Sequence, residues 1–260
     1  MMSITSKDGI AIAYARSGHG PPLVLVHGTA ADHTRWAPIL ATLEQSFTVY
    51  AMDRRGRGAS GDSAVYAIER EFDDVAALVD SIGEPVALLG HSYGALCSLE
   101  AGLRTDRVRT LLLYEPPIPA GLPIYEPGSI ERIQALLDSG DKAGTVATFF
   151  ATIAHMPDSE LAMLQSLPNW AARVAAAHTI PRELRADEGY RFDAARFEAF
   201  EAPTLLLLGG ASPPFFKAAI DAVHAALPSS RIVILPGQQH VAMNTAPALF
   251  LHEVLAFLAD

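Results

Sequence analysis

Residues 86–94 read Val86-Ala87-Leu88-Leu89-Gly90-His91-Ser92-Tyr93-Gly94. Four apolar residues predict a buried strand, and a helical pattern follows Gly94. Between them stands G-x-S-x-G, the nucleophile elbow, in the strand–turn–helix context that the motif requires. Glycine on either flank allows a turn too tight for side chains. The turn pushes Ser92 out above the sheet, beside a helix N-terminus. A Gly-Ser turn without chemistry is the plainer reading, and the flanking strand and helix argue against it.

Working outward, the chain alternates short apolar runs with longer amphipathic ones. Residues 10–16, 23–27, 47–52, 86–89, 108–114, 204–208 and 231–235 are predicted strands, mostly continuous in apolar content, as in strands buried on both faces. Residues 71–82 place Phe72, Val75, Leu78, Val79 and Ile82 on one helical face, and 93–103, 215–226 and 246–258 read similarly. The alternation predicts an α/β fold, a mostly parallel sheet covered on both sides. It breaks between about 117 and 200, where 129–138, 141–154, 158–167 and 169–178 look helical. We read 1–116 and 201–260 as the core and 117–200 as an inserted helical cap (lid) over the strand ends, where ligands of open α/β sheets bind.

A serine hydroxyl needs a base, and the base needs an orienting acid. In this arrangement the chain order is Ser, acid, His. His240 follows strand 231–235 on a loop before the last helix and is the expected base; His224 and His252 fall inside helical patterns. The loop after 204–208, Gly209-Gly210-Ala211-Ser212-Pro213-Pro214, holds no carboxylate. Glu115, at the end of strand 108–114, is the acid assigned instead. Pro116 biases it toward extended backbone. The oxyanion hole is expected from the backbone N–H groups of Tyr93 and of Thr29, in the loop His27-Gly28-Thr29. His27 reads as a loop-fixing residue and His91 as a packing or hydrogen-bonding one.

His27-Gly28, Asp53–Ser60, Gly90–Gly94, Pro203–Gly209 and Gly237–His240 together make the chain resemble an α/β-hydrolase over nearly its whole length. The resemblance implies an eight-stranded, mostly parallel sheet, a Ser-acid-His triad and Asp53 and Arg54 holding loops together. It departs at the missing acid after strand seven. Some lactone hydrolases with a Ser-Glu-His triad and the acid after strand six look similar here. The implied activity is hydrolysis of a carboxylic ester or lactone. A carbon–carbon bond hydrolase, a cofactor-free perhydrolase and a slow small-molecule binder are the alternatives. An Asp nucleophile, as in dehalogenases and epoxide hydrolases of this fold, is replaced by Ser92.

Gly56-Arg57-Gly58-Ala59-Ser60-Gly61 matches the dinucleotide pattern G-x-G-x-x-G, but no helix opens at its third glycine. No cofactor or metal is expected. Trp36, Phe149, Met156, Leu164 and Trp170 are the candidate pocket residues, and they suggest a hydrophobic small-molecule substrate. With 19 basic against 29 acidic residues the net charge is −10, a poor match to nucleic acid or an anionic membrane. The single cysteine, Cys97, excludes an internal disulfide and reads as buried and inert. No signal peptide or spanning segment is read, and the cytoplasm is the expected setting.

Overall fold

The computed structural model describes residues 1–259. Its sheet has eight strands: β1 (Met2–Thr5), β2 (Ala11–Gly18), β3 (Pro22–Val26), β4 (Thr48–Met52), β5 (Val86–His91), β6 (Val108–Tyr114), β7 (Thr204–Gly209) and β8 (Ser230–Leu235). Their order is β1-β2-β4-β3-β5-β6-β7-β8. The β1–β2 and β2–β4 pairings are antiparallel, and the other five are parallel. This is the α/β-hydrolase architecture, with one strand more than the seven apolar runs predict. β1 escapes that reading because it is an exposed edge strand in which only Ile4 is partly buried.

Alternate residues of the central strands feed two different cores. Val24, Val26, Leu88, Leu111, Leu113, Leu206 and Leu208 pack with α2 (Ile68–Ile82), α3 (Tyr93–Ala101) and α9 (Pro214–Ala226). Leu23, Leu25, Leu89, Leu112, Leu205 and Leu207 face α1 (Ala37–Leu43) and α11 (Pro247–Ala259), the latter just after the short α10 (Ala242–Thr245). Each such side chain withdrawn from water contributes ~1.5–3 kcal/mol, so the two-sided sheet is held from both faces.

Between β6 and β7 the chain is helical: α4 (Ser129–Asp138), α5 (Lys142–Thr152), α6 (Asp158–Ser166), α7 (Trp170–Ala175) and α8 (Ile180–Gly189). These helices have an apolar cluster of their own, including Ile133, Val146, Phe149, Phe150, Leu164 and Leu184, which meets Ala30 and Val241 from the loops beneath. The sequence patterns find the first four of the five. α8 reads Ile-Pro-Arg-Glu-Leu-Arg-Ala-Asp-Glu-Gly, with charged residues even on its inward face, where Glu183 and Asp187 are buried. No helix among the described residues is long and apolar enough to cross a membrane.

Candidate active site

The elbow forms where the motif sits. Ser92 has φ +58 and ψ −129, outside the regions that L residues favour, at the junction of β5 and α3. The glycines explain how it fits. A Cβ on Gly94 would stand 2.3 Å from the His27 carbonyl oxygen, and one on Gly90 would stand 2.5 Å from the Gly94 carbonyl oxygen. The Ser92 N–H donates to the Tyr114 carbonyl at 2.8 Å, tying the elbow to β6. Tyr93 is the first residue of α3, so its N–H has no acceptor within the helix. Its side chain is pinned elsewhere: the ring lies under the Arg54 guanidinium at 4.6 Å and the hydroxyl meets that of Tyr66 at 2.9 Å.

Beside the elbow, Gly28 allows close approach. A Cβ there would fall 2.7 Å from Ser92 Cβ. Thr29 follows, and Ala30 turns the chain sharply with φ +50. His27 fixes this loop. Its Nδ1 meets the Gly28 carbonyl at 2.8 Å and its Nε2 accepts the Arg54 N–H at 3.1 Å. Burial first, then the charge of Arg54, holds this imidazole well below its usual pKa, which keeps it neutral as an acceptor.

His240 and Glu115 come together across 125 positions of sequence. His240 Nδ1 lies 2.6 Å from Glu115 Oε2, with both side chains buried. The other Glu115 oxygen accepts the Gly209 N–H at 2.7 Å. Gly209 opens the loop in which the sequence lacks a carboxylate. That loop therefore supplies a backbone donor to the acid. A side chain at Gly209 would strike Ser212 Oγ and the Gln238 carbonyl. The expected extended backbone at Glu115 is not what forms. Its φ is +48, a left-handed turn just past β6, and the carboxylate then reaches both His240 and Gly209. The conformation costs on the order of 1–3 kcal/mol, offset by burying the carboxylate with two donors.

The loop carrying His240 is held on three sides. His91 Nε2 donates to the His240 carbonyl at 2.8 Å, and the Tyr114 hydroxyl donates to the Gln239 carbonyl. Phe216 stacks on the His240 ring at 4.5 Å and 15°. Burial, then the neighbouring His240, keeps His91 well below its usual pKa.

The sequence match follows this geometry. The model of the alpha/beta hydrolase family covers residues 23–253. The chain belongs to the alpha/beta hydrolase family. An alpha/beta hydrolase from Sphaerobacter thermophilus is 35% identical, with a TM-score of 0.86 over 99% of this chain and 100% of that one. The 2-(acetamidomethylene)succinate hydrolase of Mesorhizobium japonicum is 25% identical over 263 residues, 96% of this chain and 92% of its own. The enol-lactonase from Burkholderia xenovorans is 20% identical with a TM-score of 0.76 over the whole of both chains, a likeness of fold.

In this α/β hydrolase, Ser92, His240, Thr29 and Tyr93 line one cavity, while Glu115 lies behind His240. Of the pocket residues expected from sequence, Phe149 and Leu164 line it. Trp36, Met156 and Trp170 do not. Trp36 is fully buried among Leu23, Ile39 and Leu43 beneath the sheet. Met156 lies inside the helical cluster and Trp170 packs against its outside. Aromatic and apolar composition marks such residues as buried without telling which side of a helix faces the space.

Several lining residues carry no sequence signal for the role. Phe215 and Phe216 form one wall. Arg35 and Arg173, both buried, form part of another. Burial, reinforced by Arg173, pulls the Arg35 guanidinium down to about 9, and burial takes Arg173 to about 10. Asp187 also lines the space, and burial pushes its carboxyl up to about 8 although Tyr125 donates to it. Glu160 in α6 feels the charges of His240 and Glu115, and its carboxyl is raised by burial.

Two sequence features resolve as structure. The Asp53–Gly61 run opens no helix. Asp53 Oδ1 accepts the His33 N–H at 2.8 Å and Oδ2 accepts the Ala59 N–H at 2.9 Å, so the run ties loops together. Asp32, His33 and Asp53 bring potential metal ligands within 4.8 Å of one another, and these atoms are spent on local bonds such as His33 Nδ1 to Asp53 at 2.7 Å. Cys97 is buried in α3, and burial drives its thiol well above the usual pKa, away from reactive thiolate.

Proposed function

We propose that this protein is a serine hydrolase that cleaves a carboxylic ester or lactone of a small, largely apolar molecule through an acyl-enzyme. The observation that carries this reading is the buried Glu115–His240 pair, whose imidazole opens onto the same cavity as Ser92. Glu115 holds Nδ1 protonated, leaving Nε2 free to take the Ser92 proton. The Ser92 alkoxide then attacks the acyl carbonyl. Thr29 and Tyr93 N–H groups receive the developing oxyanion, each worth about 3–4 kcal/mol of barrier. His240 next protonates the leaving alcohol, and water releases the acid by the same steps in reverse order. Residues 117–200 serve as the cap over this chemistry, with the core in 1–116 and 201–260. The apolar cluster that those helices share, and their part of the cavity lining, support that division.

The test is hydrolysis of p-nitrophenyl butyrate by wild type and by Ser92→Ala. We expect turnover in wild type and a loss of about 10⁴-fold or more in the variant. Equal turnover in the two proteins would overturn the serine mechanism.

A further inference from the structure

Buried arginines in this chain follow a rule with two exceptions. Arg54, Arg55 and Arg57 each reach a carboxylate. Arg35 and Arg173, buried as deeply, reach none among the described residues. Arg35 donates to Asn244 Oδ1 and lies 3.7 Å from Met243 Sδ. Arg173 donates to the Ala30 carbonyl at 2.9 Å, and its buried Nε–H has no partner. Asp32 is the acid whose charge acts on Arg173, and Asp32 Oδ1 is already capping the turn at Thr34. The two arginines come from opposite parts of the chain, one from the loop after β3 and one from α7, yet both line the cavity of Ser92.

A buried cation without a counter-charge is unfavourable, more so when a second cation stands nearby. An amide side chain would hold the Ala30 carbonyl or Asn244 without that cost. What two guanidinium groups add is positive charge at neutral pH and forked donors, the complement of a carboxylate. Resting on the hydrolase reading above, we propose that the substrate of this site carries a carboxylate besides its scissile acyl group, and that Arg35 and Arg173 bind it. The apolar walls at Phe149, Phe150 and Phe216 then take the body of the molecule. Substrates in this class are half-esters and carboxylated lactones, compact acids with a single bond to cleave.

The experiment compares p-nitrophenyl hemiglutarate with p-nitrophenyl hexanoate, an acyl chain of similar length that lacks the charge. In wild type we expect kcat/KM to favour the hemiglutarate by about tenfold or more. In Arg35→Met and in Arg173→Met that ratio should fall by at least about tenfold, chiefly through KM. A second measurement needs no arginine variant. Glutarate and glutaramide are titrated by calorimetry into Ser92→Ala. Glutarate should bind at least about tenfold tighter, and added salt should weaken it. Equal binding of the two, or an equal preference for the two esters, would overturn the proposal. Failure of the hydrolase reading looks different: neither ester is cleaved faster by wild type than by Ser92→Ala, while the calorimetry still decides whether the site selects carboxylates.

Discussion

The arginine run at 54–57 and the cavity above Ser92 both bury ionisable side chains, and they settle them in opposite ways. In the run, charge is paired. Arg54 meets Glu71 at 2.7 Å and also Glu183, and Arg57 shares the same two acids. Arg55 takes Asp74 through two bonds of 2.7 Å and adds Asp8 at 2.9 Å. Glu71 is pulled down to about 2, burial working against Arg54 and Arg57 and losing. In the cavity, partners are missing. Arg35 and Arg173 lack a carboxylate, and Asp187 has one oxygen bonded to Tyr125 and the other unpartnered. The first region uses buried charge to join α8 to the core beneath it. The second leaves charge unanswered around the one place where a ligand could answer it. A protein tolerates unpaired buried charge at a cost in stability, and working sites are where that cost is accepted.

Three substitutions press on this contrast, beginning with the largest effect. Glu115, behind His240 and outside the cavity lining, is a fully answered acid, with donors on both oxygens. Glu115→Gln offers one acceptor and one amide donor, so either His240 Nδ1–H or the Gly209 N–H faces a donor. We expect kcat on p-nitrophenyl butyrate to drop by about 10³–10⁴-fold with far-UV dichroism unchanged. Turnover within about threefold of wild type would remove Glu115 from the proposed triad.

Glu183→Gln tests the paired region. It strips one carboxylate from both Arg54 and Arg57, each of which is buried. Breaking a buried pair from one side costs about 3–5 kcal/mol, and urea unfolding should show a loss of that order. A loss below about 1 kcal/mol, the range of surface pairs, would mean that the run is not holding α8.

Asp187→Asn gives an effect that is small at acid pH and grows with pH. The folded carboxyl, raised from 3.8 to about 8, keeps a proton that the unfolded chain releases above about pH 4. The folded state therefore binds more protons across that window, and the residue lowers stability increasingly as pH rises from about 4 to about 8. Asparagine carries no such penalty. Its advantage over wild type should widen through this range to a few kcal/mol, on the order set by linkage. A difference that stays flat with pH would show that Asp187 ionises freely, and would weaken the view of the cavity as a place of unanswered charge.

Much of the fold and part of the site are legible in the linear text. The central strands β3, β5, β6 and β7 announce themselves because a strand buried on both faces must be apolar at nearly every position. β1 does not, because a short edge strand buries little. Ser92 is legible because its turn demands glycine on both sides. Glu115 is legible by elimination, since the usual acid loop is empty of carboxylates. The expectation of extended backbone there fails, because reaching two donors outweighs the local preference set by Pro116.

The sequence by itself determined the sheet, the elbow and the identities of nucleophile, base and acid candidates. Each is fixed by a local constraint: periodicity, a steric limit at glycine, or the order of chemical types along the chain. Only the tertiary structure decided which residues line the cavity and which charges go unpaired. Glu183 and Asp187 sit in a helix that reads as solvated, and Arg35 stands one position before a tryptophan that turns the other way into the core. Burial of a charge depends on what packs over it from distant segments, here α7 and α8 over the loops after β3 and β8. No window of neighbouring residues carries that information.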